Sequence, residues 1–428
     1  MKKLITVMLA LTMVFSLCAC EGADSLKSIE LPPLPTDTPA PEPTATAAAE
    51  PTATPAPAVG QIIVSTTKTE KQGYDPKDGT KLILSFSYET PAVYIEGNPD
   101  ASSAINDRVS KMEETYYTGE DYGEGSATGY NNMLTMAEDN FNYLYNEGIE
   151  DGMYELASSR TVTVARADQQ ALTLLYHDYC FTGGAHGVYG DLGCSFDATT
   201  GELLTLDSLS SDPEALKAAL LAAMVETATT DVNINERIDQ TLVADGDYEA
   251  LLEPLLRDGS WYLGRDGVVI FSSLYEISSY AAGPIEFRIP YEELESVIDD
   301  KWIPAPVDGS GSFAIVGADA MVDGSTEILD KVTVSTAGGE FYLVAQGKVQ
   351  NVRLSVVDYT DSFFETAQLW NCSEMEDAAL QVAADIPDGM PNLMITWSTT
   401  QGDNRMLVTQ SGEDGSYILV DDTIEAVG

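Results

Sequence analysis

Basic residues are scarce in this chain. Its 428 residues hold 21 Lys and Arg against 69 Asp and Glu, a formal charge of −48. A surface of that sign repels nucleic acid and anionic headgroups, which excludes electrostatic docking on either. Histidine is limited to His177 and His186, and the five cysteines form neither a CxxC pair nor a His/Cys cluster. A structural zinc site therefore has no ligand set, and nothing calls for another metal or a cofactor. GxSxG, HExxH, a Walker sequence and a GxGxxG in strand–helix context are all missing, so no catalytic motif marks the chain as an enzyme. Paired carboxylates of the glycosidase kind stay open, because 69 acids make chance pairs unavoidable. No apolar run reaches the ~20 residues of a membrane-spanning helix.

What is present begins with MKKLITVMLALTMVFSLCAC. Two lysines, an apolar run from Leu4 to Phe15 and a small-residue end have the form of a secretory signal over residues 1–19. Leu17-Cys18-Ala19-Cys20 resembles a bacterial lipobox, which implies cleavage before Cys20 and diacylation of that cysteine. Two acyl chains give stable anchoring. The expectation is an extracytoplasmic protein, lipid-anchored to the cell membrane, with nothing left in the cytoplasm. Removal of Lys2 and Lys3 takes the charge to −50. That charge favours a cationic partner held more weakly as salt rises, or it is a general acidic habit that keeps an exported protein soluble.

Residues 20–60 carry the candidate lipid site and a Pro/Thr/Ala-rich tether, poor in large apolar residues. It cannot bury a core, and residues 31–59 could reach about 90 Å as an extended stalk. Residues 61–306 read as an α+β head. Residues 81–96 are strand-like; Asn98-Pro-Asp opens a helix with Ile105, Val109 and Met112 on one face, and a second helix spans 130–145. Strands follow at 160–166, 171–181 and 188–196, and Ser211 to Glu214 has capping-box spacing before an Ala/Leu helix. Strands at 267–271 and 285–289 complete a mixed, largely antiparallel pattern. Beyond Pro304-Ala-Pro306, short strands at regular spacing predict an accessory, sandwich-like all-β module over 307–428.

YCFTGGAHGVY at 179–189, FDATTGELLTL at 196–206, YEISSYAAGP at 275–284 and IPYEEL at 289–294 occur in series. Together they resemble the DUF3298 domain, preceded by a DUF4163-like segment. That pairing is found in the extracytoplasmic part of RsiV-type anti-sigma factors, which bind lysozyme, and beside polysaccharide deacetylase domains. The sigma-binding segment and membrane helix of the former have no counterpart here. Nor do the metal-binding histidines of the latter. The resemblance implies a non-catalytic binding or sensing protein for a basic protein such as lysozyme. The alternative is a glycan-binding accessory or enzyme of peptidoglycan modification.

The binding face is expected at Gly183, Gly184, His186, Gly187, Tyr189 and Tyr280. The glycines permit an exposed hairpin tip. His186 is either a binding or catalytic residue or a turn residue bonded to nearby backbone; His177, in strand alternation, reads as a satisfied sheet residue. Tyr275 and Tyr280 form a second loop or belong to the core. A hairpin centred on Gly187 would set Cys180 opposite Cys194 and predicts a disulfide, with two buried thiols as the alternative.

Overall fold

The computed structural model describes residues 59–119, 129–148, 155–318, 326–336, 338–358, 364–386, 391–411 and 416–421. The expected signal, Cys20 and nearly all of the tether lie outside them. β1 (Ile62–Tyr74) and β2 (Leu82–Ile95) form a long antiparallel pair. β2 then pairs in parallel with β3 (Leu156–Ala167). A parallel pair needs a crossover, and α1 (Pro99–Thr118) and α2 (Tyr130–Asn146) supply it. Asn98 caps α1 by accepting from Ala101 N at 3.2 Å, with Pro99 in the first turn. Its buried stripe of Ala101, Ile105 and Val109 packs on Val64, Ile95, Val162, Leu174 and Phe196.

β4 (Ala171–Phe181) and β5 (Val188–Asp197) continue the sheet as a hairpin. The helix expected after Ser211 is α3 (Pro213–Thr230), but its cap is Asp212, which accepts from Ala215 N at 3.2 Å. α4 (Val232–Arg237) follows. A small antiparallel sheet of β6 (Trp261–Leu263), β7 (Gly267–Phe271) and β8 (Glu286–Pro290) shares one core with α3 through Leu216, Leu220, Met224, Ile270 and Phe287.

The C-terminal strands are β9 (Ser312–Gly317), β10 (Glu327–Thr333), β11 (Gly339–Gln346), β12 (Lys348–Asp358), β13 (Phe364–Glu376), β14 (Ala378–Ala384), β15 (Leu393–Thr399), β16 (Gly402–Gln410) and β17 (Tyr417–Asp421). β10, β14, β11 and β9 form one sheet, packed through Phe341, Leu343 and Leu380 against Leu354, Trp370 and Ile395. The α+β class with a sandwich-like C-terminal part is thus present. The boundary drawn at Pro306 does not, however, divide the main sheet. β1 pairs with β13, Ile63 opposite Cys372 and Ser65 opposite Trp370, and Ile63 is buried in the C-terminal core. The described residues give one ten-stranded sheet in the order β17-β16-β15-β12-β13-β1-β2-β3-β4-β5. Residues from 59 onward fall in one compact unit. Among the described residues no helix is long and apolar enough to cross a membrane.

Candidate functional site

The expected binding residues converge at the tip of the β4–β5 hairpin. Gly183 and Gly184 take φ of 96° and 104° and make the turn, a conformation that costs a residue with a Cβ. Tyr179 and Tyr189 are cross-strand partners at the mouth of the loop, each 39% exposed. Gly187 is required by contact instead: a Cβ there would lie 2.4 Å from the Tyr179 ring.

The loop after β7 comes alongside. Its Tyr280 stacks on the His186 ring with centroids 3.7 Å apart and planes at 22°. The Tyr280 hydroxyl donates to Gly187 O at 3.0 Å, and His186 Nδ1 donates to the same oxygen at 3.1 Å. Tyr189 meets Tyr280 edge-on at 6.1 Å, and Tyr275 lies 5.8 Å from it on the other side. Tyr275 is 51% exposed and holds a positive φ of 63°, an uncommon state for a bulky residue. The second loop is braced from behind by Arg237 of α4, which donates to Ala282 O at 3.1 Å and to Pro284 O.

Four tyrosines and one histidine therefore make a continuous aromatic face carried on a braced frame. His186 bonds backbone, as the turn reading expects, and its ring also forms part of the aromatic face. Tyr275 joins the exposed surface rather than the core. Tyr179, read above as motif and not as binding face, belongs to the surface through its register with Tyr189. Arg237 carried no sequence signal, because its contacts are to backbone oxygens distant in the chain.

His177 sits one step behind the face. Its Nδ1 donates to Asp191 at 2.7 Å, and Nε2 lies 3.2 Å from Thr163 Oγ1, so the ring is satisfied within the sheet. Burial pushes its pKa down, but the bond to Asp191 and the charges of Asp191, Asp178 and Glu286 outweigh burial and leave it raised. Arg160 forms a two-point ion pair with Asp178, both bonds 2.7 Å. Among the described residues no group of three or more His, Cys, Asp or Glu is placed to hold a metal.

The disulfide expectation is corrected by the register. Cys180 pairs with Val188 and Cys194 with Leu174, because the turn is centred on Gly184 and not Gly187. The two cysteines are thus six positions apart along the hairpin, about 20 Å at strand rise, far beyond a bridge's reach. Cys180, Cys194 and Cys372 are free thiols, and burial pushes them up to about 11, about 12 and about 12.

Residues 211–292 match the family described as "Protein of unknown function (DUF3298)". The match spans α3, the small sheet and the loop of Tyr275 and Tyr280, and it begins downstream of the Gly183–Gly187 turn. A DUF3298-family structure from Bacteroides fragilis is similar over 57% of this chain and 96% of its own, with 17% identity and a TM-score of 0.42. A second, from Pseudomonas aeruginosa, covers 57% of this chain and 98% of its own, with 17% identity and a TM-score of 0.36. No curated protein matches the chain. Residues 211–292 of this protein are a DUF3298 domain.

Proposed function

We propose that this is a cell-envelope lipoprotein, anchored through Cys20, that captures a cationic protein on its aromatic face without catalysing a reaction. The observation that carries the reading is the His186–Tyr280 stack, flanked by exposed Tyr179, Tyr189 and Tyr275. Tyrosine gives large contact area at low entropic cost and accepts a guanidinium or ammonium over its ring. The charge of −50 left after cleavage before Cys20 supplies long-range attraction for a basic partner and accelerates encounter.

A lysozyme-type muramidase suits both terms, in keeping with the RsiV-type and DUF4163-like resemblance of the preceding segment. On this reading the protein defends against or senses such an enzyme. Titration with lysozyme at 0.1 M and 1 M salt tests the proposal, since the Debye length falls from ~10 Å to ~3 Å between them. Binding at low salt that weakens sharply at high salt is expected. Absence of binding at low salt contradicts it, and binding of purified peptidoglycan instead would favour the glycan reading, in which tyrosine rings stack on sugar faces.

A further inference from the structure

β5 is the last strand of the ten-stranded sheet, so one of its sides has no neighbour in that sheet. Its pairing with β4 runs in unbroken register from Val188 opposite Cys180 to Asp197 opposite Ala171. In an antiparallel pair, successive residues turn their backbone N–H and C=O alternately toward the partner strand and away from it. Bonds made on the outer side identify the outward set. Gly193 N donates to Gly259 O at 3.1 Å, Ser195 O accepts from Leu204 N at 2.8 Å, and Asp197 N donates to Glu202 O at 2.9 Å. By alternation, Tyr189 and Asp191 belong to the same set.

The edge is covered on either side of these two residues and open at them. Toward the turn, the Tyr280 hydroxyl closes on Gly187 O at 3.0 Å. In the other direction the backbone at Gly259 closes on Gly193. Between the two, no group among the described residues bonds the backbone N–H or C=O of Tyr189 or Asp191. Gly187 and Gly193 are six positions apart, about 20 Å at strand rise. Native sheets commonly blunt an exposed edge with proline, lysine or a bulge. Residues 188–192 contain none of these, and their one charged side chain, Asp191, is bonded to His177. Two donors and two acceptors at strand spacing match one ligand chemistry, the main chain of an extended peptide.

We infer that this open stretch of β5 binds an extended segment of the captured basic protein as an added antiparallel strand, with lysines or arginines on the face of Tyr189. The inference rests on the capture proposed above and adds the conformation of what is captured. Residues directly opposite one another on antiparallel strands share a face. A side chain opposite Tyr189 therefore meets the Tyr189 and Tyr280 rings, whose centroids are 6.1 Å apart, and such rings attract an ammonium or guanidinium. A side chain opposite Asp191 meets a carboxylate whose Oδ1 is bonded to His177 and whose Oδ2 has no partner among the described residues. The residue between them points to the other face at Gly190, where even a Cβ on the glycine would have nothing within 4 Å. A second copy of this chain would bring its own large negative charge to the edge, whereas a basic segment is attracted to it.

The pentapeptide acetyl-Lys-Val-Lys-Val-Lys-amide, titrated into the full chain at low salt and followed by NMR, tests the inference beside two relatives. One is N-methylated at its lysines and the other at its valines, so all three carry the same charge and side chains. With lysines opposite Tyr189 and Asp191, the lysine N–H groups face β5 and the valine N–H groups face away. The lysine-methylated peptide should bind at least about tenfold more weakly than the other two. In the complex, the Tyr189 and Asp191 amides should exchange with solvent at least about tenfold more slowly than in the free chain. Equal binding of all three peptides, no binding by any at millimolar concentration, or unchanged exchange at both amides overturns the inference.

The same exchange measurement with lysozyme separates the added strand from capture itself. Lysozyme bound without slowing at Tyr189 and Asp191 overturns the added strand and leaves capture standing. Discrimination among the peptides without lysozyme binding supports the added strand and removes lysozyme as the partner. Protection of the two amides in the free chain that grows with its concentration would give the edge to a second copy and overturn the inference.

Discussion

Glu113 of α1 is a carboxyl group in the head's interior, and its removal gives a quantitative test of the packing described above. The residue is 5% exposed, and neither carboxylate oxygen has a hydrogen-bond partner. Burial raises its pKa from 4.5 to about 7; the Arg160 guanidinium opposes this, and Asp178 and Glu89 add to it. Below pH 4.5 the group is protonated whether the chain is folded or not, and its neutral form is fully compatible with the interior. As pH rises to about 7 and beyond, the unfolded chain releases the proton readily and the folded chain only with difficulty. Stability is therefore lost across that window. The gap between 4.5 and about 7 corresponds to about 3 kcal/mol.

Glu113→Gln does not titrate and should escape the loss. Urea unfolding followed by tryptophan fluorescence, at pH 4.5 and pH 8, measures the difference. Relative to wild type, the variant should gain about 3 kcal/mol between the two pH values. The raised pKa of His177 also removes stability as pH rises, but it is common to both proteins and cancels. Parallel pH dependence in the two proteins would show that Arg160 already holds Glu113 charged in the folded state, and the reasoning would fail.

Other substitutions probe the remaining features. Gly187→Ala places a Cβ 2.4 Å from the Tyr179 ring, so that exposed ring must swing away; stability should change by less than about 1 kcal/mol, while affinity for the cationic partner falls several-fold in the same titration. Thiol alkylation with peptide mapping should find Cys180, Cys194 and Cys372 all free after denaturation, with Cys194 and Cys372 protected in the folded protein; a Cys180–Cys194 linked peptide would refute the hairpin register. Deleting residues 307–428 uncovers the β1 edge at Ile63–Ser65 together with the apolar Ile63 side chain, so size-exclusion chromatography with light scattering should show aggregates; a well-behaved monomer would mean that the seam contributes little.

Local chemistry made much of the head legible. Asn98 before Pro99 announces the start of α1 because both residues act within one turn. At the start of α3 Ser211 has capping-box spacing, but Pro213 belongs at the first helical position and so makes Asp212 the cap, one residue later. The glycine-rich loop was recognised as a turn, yet three glycines within five residues do not say which take positive φ; Gly183 and Gly184 do, and the centre shifts by three residues. β1 carries no clear strand pattern, because it is buried mainly at its first residues and polar thereafter. Its pairing with β13, some 300 residues away, has no local signature at all, since strand pattern fixes a face and not a partner. The aromatic face was legible through its loops, while Tyr179 entered through its register with Tyr189.

The proposed capture of a cationic protein by the aromatic face is tested most directly by titrating lysozyme into wild type and into Tyr189→Ala and Tyr275→Ala at low salt. Both tyrosines are exposed, at 39% and 51%, so neither substitution should disturb the fold. A buried tyrosine at the centre of an interface is worth about 2 kcal/mol or more, so each variant should bind at least tenfold more weakly. Wild-type binding that both variants retain in full, or no binding by wild type, would contradict the claim.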